Sequence, residues 1–226
     1  MLWKIRKEEI TLSSYIYRID LPSLSQTIQE YPNFNFNCLS KAQIQSKEWL
    51  IRQLYECVSL SGKKIAMLGG WYGLLAQPLY ELCPDITYIR SFDIDPDCAN
   101  IAESLNKSLL HDNWKFKATT YSVNNLNWKE KVKYHTQKTD GSYQFMSDRF
   151  DIIINTSCEH MPDTWVRNVS SEQVIVAQTN DFDIPEHTNR CDSPDLLIEK
   201  LGIKTILYKG RLNTEQYTRS MVIGYK

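Results

Sequence analysis

The feature that most constrains the fold is a glycine-bearing turn between two apolar runs, at residues 63–82. The first run, KKIAML, leads into GGWYG, and an apolar pattern resumes from Leu74 to Leu82. A short apolar run that turns sharply into a helical pattern predicts a buried strand followed by a helix. Backbone N–H groups at such a turn can bind a ligand, and glycine lets the ligand approach the backbone closely.

A second predicted strand ends on an acidic residue. Residues 86–92, ITYIRSF, form the run, and Asp93 follows directly. An acid at the tip of the second strand, beside a glycine turn after the first, is how a doubly wound sheet binds the ribose of a nucleotide-like cofactor. Asp95 stands before Pro96 and is predicted instead to cap the next helix.

The alternation of strands and helices continues along the chain. Further strands are predicted at 114–119, 150–155 and 173–177, and the 150–155 run is apolar almost throughout, as a strand buried on both faces requires. Polar residues follow these strands, and ligands in open α/β sheets bind beyond the carboxyl ends of strands. Residues 204–212 and 220–225 predict two antiparallel strands, because the loop between them has no room for a crossover helix.

The segments around this core are less regular in pattern. Residues 41–58 predict a helix, with Ser40 and Gln43 as a capping box. Its Gln45, Ser46 and Lys47 could reach into a site, but a solvated face is the favoured interpretation. For residues 1–39 we expect short segments that pack on the surface of the main fold. Residues 129–149 predict an amphipathic segment and an exposed connection, with a turn at 140–141.

The length of 226 residues and the absence of a linker or internal repeat predict a single domain at 1–226, with an N-terminal extension and helix (1–58) and a cofactor-binding core (59–226). The formal net charge of −1 and pI near 6.4 provide no general attraction to nucleic acid or anionic membrane. No run of eighteen apolar residues exists, and residues 1–9 lack the apolar core of a signal peptide. We therefore expect a cytoplasmic protein without a membrane partner.

The cysteines and histidines show no spacing typical of zinc sites. Six cysteines and four histidines are dispersed along the chain. Free cysteine packs as a small hydrophobe, so reduced and mostly buried thiols are expected. The sequence predicts no structural metal.

Alternating strands and helices that end in an antiparallel hairpin resemble the class I S-adenosylmethionine (SAM)-dependent methyltransferase fold over roughly residues 40–226. This fold is a Rossmann-like, doubly wound α/β sheet, mostly parallel, with a C-terminal antiparallel hairpin. Gly69 and Gly73 match the first and third glycines of the family's cofactor loop, and Asp93 within Phe92-Asp93-Ile94 matches its ribose-binding acid. The GGWYG string with a later Cys-Glu-His is also similar to methyltransferase-like proteins of tailed phages, which would place the protein in the host cytoplasm.

The resemblance implies SAM as cofactor and a set of site residues. The implied cofactor-binding residues are Gly69, Gly70, Trp71, Gly73, Asp93, Ile94, Thr120, Tyr121 and Asn155, and the implied catalytic pair is Glu159 and His160. Trp71 replaces the usual middle glycine, and Met67 replaces the acid common two residues before the first glycine. Thr120, Tyr121 and Ser122 occupy the region of the family's adenine-binding acid.

The implied reaction is methyl transfer to an unknown acceptor. The Asn/Asp-Pro-Pro-aromatic string of base-amino methyltransferases is absent, which favours a small molecule or a protein over a DNA base. Three alternatives stay open: transfer of the aminocarboxypropyl group of SAM, a non-catalytic binding or virion protein of the same fold, and a nicotinamide-dependent oxidoreductase. The last is disfavoured, because the Gly69–Gly73 loop and the terminal hairpin do not fit its fingerprint.

Overall fold

The structure is a computed structural model that describes residues 19–124, 126–138 and 140–226. The expectations for residues 1–18 lie outside these ranges. The helices are α1 (Leu21–Glu30), α2 (Lys41–Cys57), α3 (Ala76–Leu82), α4 (Pro96–Leu105), α5 (Lys107–His111) and α6 (Pro194–Leu201). The strands are β1 (Lys64–Leu68), β2 (Tyr88–Asp93), β3 (Phe116–Thr120), β4 (Val132–Gln137), β5 (Tyr143–Asp148), β6 (Ile152–Asn155), β7 (Val174–Asn180), β8 (Thr205–Asn213) and β9 (Thr218–Tyr225). Short 3-10 turns lie at Phe36–Leu39, Cys158–His160 and Asp163–Val166.

Seven strands form one sheet in the order β3-β2-β1-β6-β7-β9-β8. The first five are parallel, and β9 runs antiparallel to both β7 and β8. The predicted mostly parallel sheet with a C-terminal antiparallel hairpin is confirmed. The strand order reverses between β1 and β6, and such a switch point opens a crevice at the carboxyl ends of the strands.

Alternation along the strands divides the core between the two faces of the sheet. Ile65 and Met67 of β1 belong to a cluster that includes Ile44 of α2 and Leu79 of α3. Ala66 and Leu68 belong to the opposite cluster, with Trp128 ahead of β4 and Leu197 of α6. Both faces are therefore covered, as a parallel sheet requires.

The segment at 129–149, predicted to be amphipathic with an exposed connection, forms an antiparallel hairpin of β4 and β5, which is a second, two-stranded sheet. Val132, Tyr134 and Thr136 are buried and alternate with exposed residues, which is the period of a strand and not of a helix. The Tyr134 hydroxyl donates to Asp148 Oδ2 at 2.5 Å and joins the two strands. The predicted turn at 140–141 is confirmed, with Gly141 at φ +82°.

Helix α2 is confirmed, but two details of its prediction are wrong. The Ser40 side chain makes no capping hydrogen bond, and Gln43 instead accepts a hydrogen bond from Lys47 Nζ at 2.8 Å. Ser46 is 1% exposed and donates to Gln178 Oε1 at 3.0 Å, so it faces the sheet and not solvent. A buried side-chain amide on β7 provides the partner that sequence periodicity does not reveal.

All six cysteines are free, and four of them are buried: Cys38, Cys98, Cys158 and Cys191. The expectation of reduced, mostly buried thiols is confirmed. In the part of the chain that the structure describes, no helix is long and apolar enough to cross a membrane.

Candidate functional site

A cavity of about 420 Å³ opens at the carboxyl ends of β1, β2 and β6. It lies at the switch point of the sheet, where open α/β folds bind their ligands. Its lining residues are Gly69, Trp71, Phe92, Asp93, Ile94, Asp95, Cys98, Tyr121, Ser122, Val123, Asn124, Ser157, His160, Met161 and Pro162. We call it the main cavity.

Asp93 is held at the tip of β2 by two backbone donors. Its Oδ2 accepts from the Trp71 N–H at 2.8 Å, and its Oδ1 accepts from the Asp95 N–H at 3.1 Å. Each carboxylate oxygen has two acceptor sites, so each keeps one for a ligand hydroxyl. Burial raises the pKa of Asp93, while hydrogen bonds from backbone N–H groups oppose that rise. The carboxylate is therefore oriented before any ligand binds.

Close packing explains the glycines of the turn. A Cβ on Gly70 would lie 2.1 Å from Ser91 Oγ, and a Cβ on Gly73 would lie 2.7 Å from Phe116 Cζ. Gly73 also adopts φ +65°, a conformation that favours glycine. These two glycines let the turn lie directly against β2 and β3.

Trp71 occupies the middle position of the turn at φ +49°. The left-handed conformation costs a residue with a Cβ about 1–2 kcal/mol, so surrounding contacts must hold it there. Its ring packs against Tyr72, with ring centroids 5.3 Å apart. Trp71 lines both the main cavity and a neighbouring cavity of about 90 Å³, which we call the inner cavity.

The inner cavity contains two basic side chains, those of Lys47 and Arg219. It is lined by Gln43, Lys47, Gly69, Gly70, Trp71, Tyr72, Leu74, Thr156, Ser157, Glu159, His160 and Arg219. Arg219 is 2% exposed, and its Nη1 donates to the Thr156 carbonyl at 3.1 Å while its buried Nε has no partner. Burial, reinforced by Arg219, lowers the pKa of Lys47 to about 7. A site with these two donors is suited to an anionic group.

Glu159 and His160 lie in the 3-10 turn that follows β6, where both cavities meet. Glu159 is 2% exposed, its Oε1 accepts a hydrogen bond from Asn180 Nδ2, and its buried Oε2 has no partner. Burial lowers the pKa of His160, the carboxylate of Glu159 raises it, and His187 lowers it further. His187 packs edge-on against His160, with ring centroids 4.5 Å apart.

The structure brings most of the sequence-predicted site residues together. The main cavity is lined by Gly69, Trp71, Asp93, Ile94, Tyr121 and His160, and the inner cavity adds Gly70 and Glu159. Gly73, Thr120 and Asn155 line neither cavity. The fully buried Asn155 supports the turn after β6: its Oδ1 accepts from the Ser157 N–H at 2.9 Å, and its Nδ2 contacts Met161 Sδ at 3.2 Å.

Sequence reasoning missed Lys47, His187 and Arg219. For Lys47 the periodicity of α2 favours a solvated face over a place in the site, and Arg219 lies in the terminal hairpin, far along the chain from every motif. His187 follows His160 by too many residues to form a recognisable pair. No spacing rule connects these three positions; only the pairing of β9 with β7 brings Arg219 to the switch point.

Comparison with known proteins identifies the fold. No protein-family model and no curated protein matches the sequence. Magnesium protoporphyrin IX methyltransferase (ChlM) of Synechocystis PCC 6803, solved with bound SAM, shares 13% identity, with 97% of this chain and 99% of that chain covered at a TM-score of 0.58. The PH0226 protein of Pyrococcus horikoshii OT3 shares 11% identity, with 89% and 99% covered at a TM-score of 0.56. The predicted methyltransferase-type Rossmann-like fold is confirmed.

Proposed function

We propose that the protein is a SAM-dependent methyltransferase with its cofactor in the main cavity. The observation that carries this proposal is Asp93, an oriented carboxylate with free acceptor sites at the tip of β2. Ribose hydroxyls are donors that such a carboxylate binds well. Ile94 and Tyr121, which line the cavity beside Asp93, would pack on the adenine.

The methionine part of SAM would extend from Asp93 across Gly69 and Trp71 toward the inner cavity. Lys47 and Arg219 lie there and would bind its carboxylate. The unpartnered Arg219 Nε supports this role, since a buried donor without a partner costs free energy that a bound anion recovers. Trp71 would form the wall between the sugar and the carboxylate.

Glu159 and His160 would line the acceptor side of the site. Methyl transfer from a sulfonium needs alignment and exclusion of water, and in some cases a proton acceptor. His160 lines both cavities and stands where an acceptor would approach the methyl group. We propose a small molecule or a protein as acceptor, because the chain lacks both a general positive charge and the motif of base-amino methyltransferases.

Calorimetric titration with SAM and S-adenosylhomocysteine tests the proposed function. Saturable binding of both at one site per chain is expected. Product analysis then distinguishes the reactions, because methyl transfer releases S-adenosylhomocysteine whereas aminocarboxypropyl transfer releases methylthioadenosine. Failure to bind SAM at millimolar concentration would contradict the proposal and favour a non-catalytic protein of the same fold.

Trp71 provides a test of the cavity wall. The variant Trp71→Gly relieves the left-handed strain of about 1–2 kcal/mol but loses the ring contacts, so we expect little change in melting temperature. SAM affinity should fall by roughly tenfold, the effect of about 1.4 kcal/mol of lost contact. Trp71→Phe keeps an aromatic wall and serves as the control. A lower melting temperature with unchanged affinity would show that the ring belongs to the core and not to the site.

Proton uptake tests the role of Lys47. With its pKa lowered to about 7, Lys47 is mostly neutral at pH 8 in the free protein. A carboxylate bound beside it favours the cation and raises the pKa, so SAM binding at pH 8 should take up close to one proton. Well below pH 7 Lys47 is already protonated, and the uptake should vanish. Calorimetry in buffers of different ionisation enthalpy measures this quantity; uptake that persists in Lys47→Met would assign it to another group.

A further inference from the structure

Glu159, His160 and His187 form a cluster that the proposed methyl transfer does not explain. Each offers one ligand atom, and these three atoms lie within 4.8 Å of one another. Ligand atoms that share one transition-metal ion are at most about 4.2 Å apart. Side-chain shifts of less than about 1 Å would therefore bring the three ligand atoms within binding distance of one ion. Within residues 19–124, 126–138 and 140–226 no other group of three such side chains meets this criterion.

The hydrogen bonds of the cluster leave one lone pair free on each of two ligands. Asn180 binds Glu159 Oε1, which orients the carboxylate, while the buried Oε2 has no partner. His187 Nδ1 lies 2.8 Å from the Phe182 carbonyl, which can only accept, so Nδ1 carries the proton and Nε2 keeps its lone pair. Metal-binding histidines typically donate their second N–H to a carbonyl in this way.

A buried carboxylate oxygen without a donor is costly unless a cation or a donor binds it. Lys47 and Arg219 line the inner cavity together with Glu159. Arg219 Nη1 donates to the Thr156 carbonyl, and neither basic side chain donates a hydrogen bond to Glu159 Oε2. A divalent ion would satisfy that oxygen and, at the same time, the free Nε2 lone pair of His187.

We propose that Glu159, His160 and His187 bind a divalent first-row transition-metal ion, such as Zn²⁺, Mn²⁺ or Fe²⁺, at the acceptor side of the main cavity. Two imidazoles and one carboxylate suit these ions, whereas Mg²⁺ and Ca²⁺ take oxygen ligands. Three protein ligands leave coordination positions open for another molecule. If the proposed methyl transfer holds, the acceptor has an oxygen that binds the ion, and the ion aligns that oxygen with the methyl group.

Titration of the untagged, metal-free protein with Co²⁺ tests the site without SAM or an acceptor. We expect one equivalent of Co²⁺ to bind with visible d–d absorption, Zn²⁺ to displace it and Mg²⁺ to leave it unchanged. Glu159→Gln keeps the oxygen that Asn180 binds but removes the charge, and His187→Ala removes one ligand. Each should weaken Co²⁺ binding at least about tenfold, since even outer-shell partners of a metal site contribute 10–100-fold.

His135→Ala is the matched control, because it removes an exposed imidazole from the separate β4–β5 hairpin. It should bind Co²⁺ as the unaltered protein does. His187→Gln serves as a second variant if His187→Ala unfolds, as judged by circular dichroism. Absence of stoichiometric Co²⁺ binding, or equal binding by Glu159→Gln and both His187 variants, would overturn the metal site. SAM titration of the same samples reports on the cofactor site separately, so failure of one proposal is distinguishable from failure of the other.

Discussion

Replacing Asp93 by alanine should weaken SAM binding by about 2 kcal/mol, or roughly 30-fold, the scale of a lost charge-assisted hydrogen bond to the ribose. The expected loss is large because the carboxylate is already oriented by the Trp71 and Asp95 N–H groups. A preorganised acceptor gains its ligand hydrogen bonds without an ordering cost. Calorimetric titration of Asp93→Ala with SAM measures the loss directly.

The neighbouring Asp95 provides a matched control. Its Oδ1 accepts from the Asp97 N–H at 2.9 Å and caps α4, although it also lines the main cavity. Asp95→Asn removes the same charge from the same cavity and keeps a good capping residue. The SAM affinity of Asp95→Asn should stay within about threefold of that of the unaltered protein. This substitution removes only a long-range charge interaction with SAM, which salt screens. If Asp93→Ala folds and binds SAM with unchanged affinity, the assignment of Asp93 to the ribose is wrong.

The part of the site that sequence analysis predicted is encoded in short, local patterns. The Gly69–Gly73 turn follows β1 directly, Asp93 is the last residue of β2, and adjacent parallel strands end at the same edge of a sheet. Glu159 and His160 follow β6 in the same way. The order of strands and helices was therefore sufficient to bring these residues to one crevice, without knowledge of any side-chain contact.

The part that sequence analysis missed depends on contacts between distant elements. Lys47 projects from α2, whose apolar periodicity is weakened because the buried Ser46 bonds Gln178 on β7. Arg219 reaches the site through the antiparallel pairing of β9 with β7, and His187 lies in an irregular segment held by the Phe182 carbonyl. Buried polar partners of this kind carry no hydrophobic signal, so periodicity assigns them to solvent.

The β4–β5 hairpin illustrates a different limit. Only β4 alternates between buried and exposed residues, whereas β5 is exposed or half-buried throughout, and one short alternating run is a weak signal. The hairpin packs over the face of the sheet that holds Trp128 and Phe150. A pattern with few strongly apolar residues is ambiguous between strand and helix, and here the tertiary contact decides.

The largest expected effect concerns turnover in Glu159→Gln and His160→Ala. A group that accepts a proton or aligns the acceptor typically contributes 10²–10⁴-fold to the rate, so each variant should lose turnover by about that factor. SAM affinity should change little, because the proposed cofactor contacts are made by Asp93, Lys47 and Arg219 and not by this pair. The measurements are S-adenosylhomocysteine release with an acceptor and SAM binding without one. Loss of SAM binding would show that Glu159 and His160 contact the cofactor and not the acceptor. Unchanged turnover would show that they have no catalytic role.

Chelation separates the two ways in which the pair could act. If His160 takes the acceptor proton directly, a metal chelator leaves the turnover of the unaltered protein intact and His187→Ala retains most of its activity. If the three side chains hold a cation that aligns the acceptor, the chelator abolishes turnover, added Zn²⁺ or Mn²⁺ restores it, and His187→Ala is as inactive as Glu159→Gln. The second pattern is expected, because the unpartnered Glu159 Oε2 and the bonded Nδ1 of His187 are arranged for a cation and not for a proton relay.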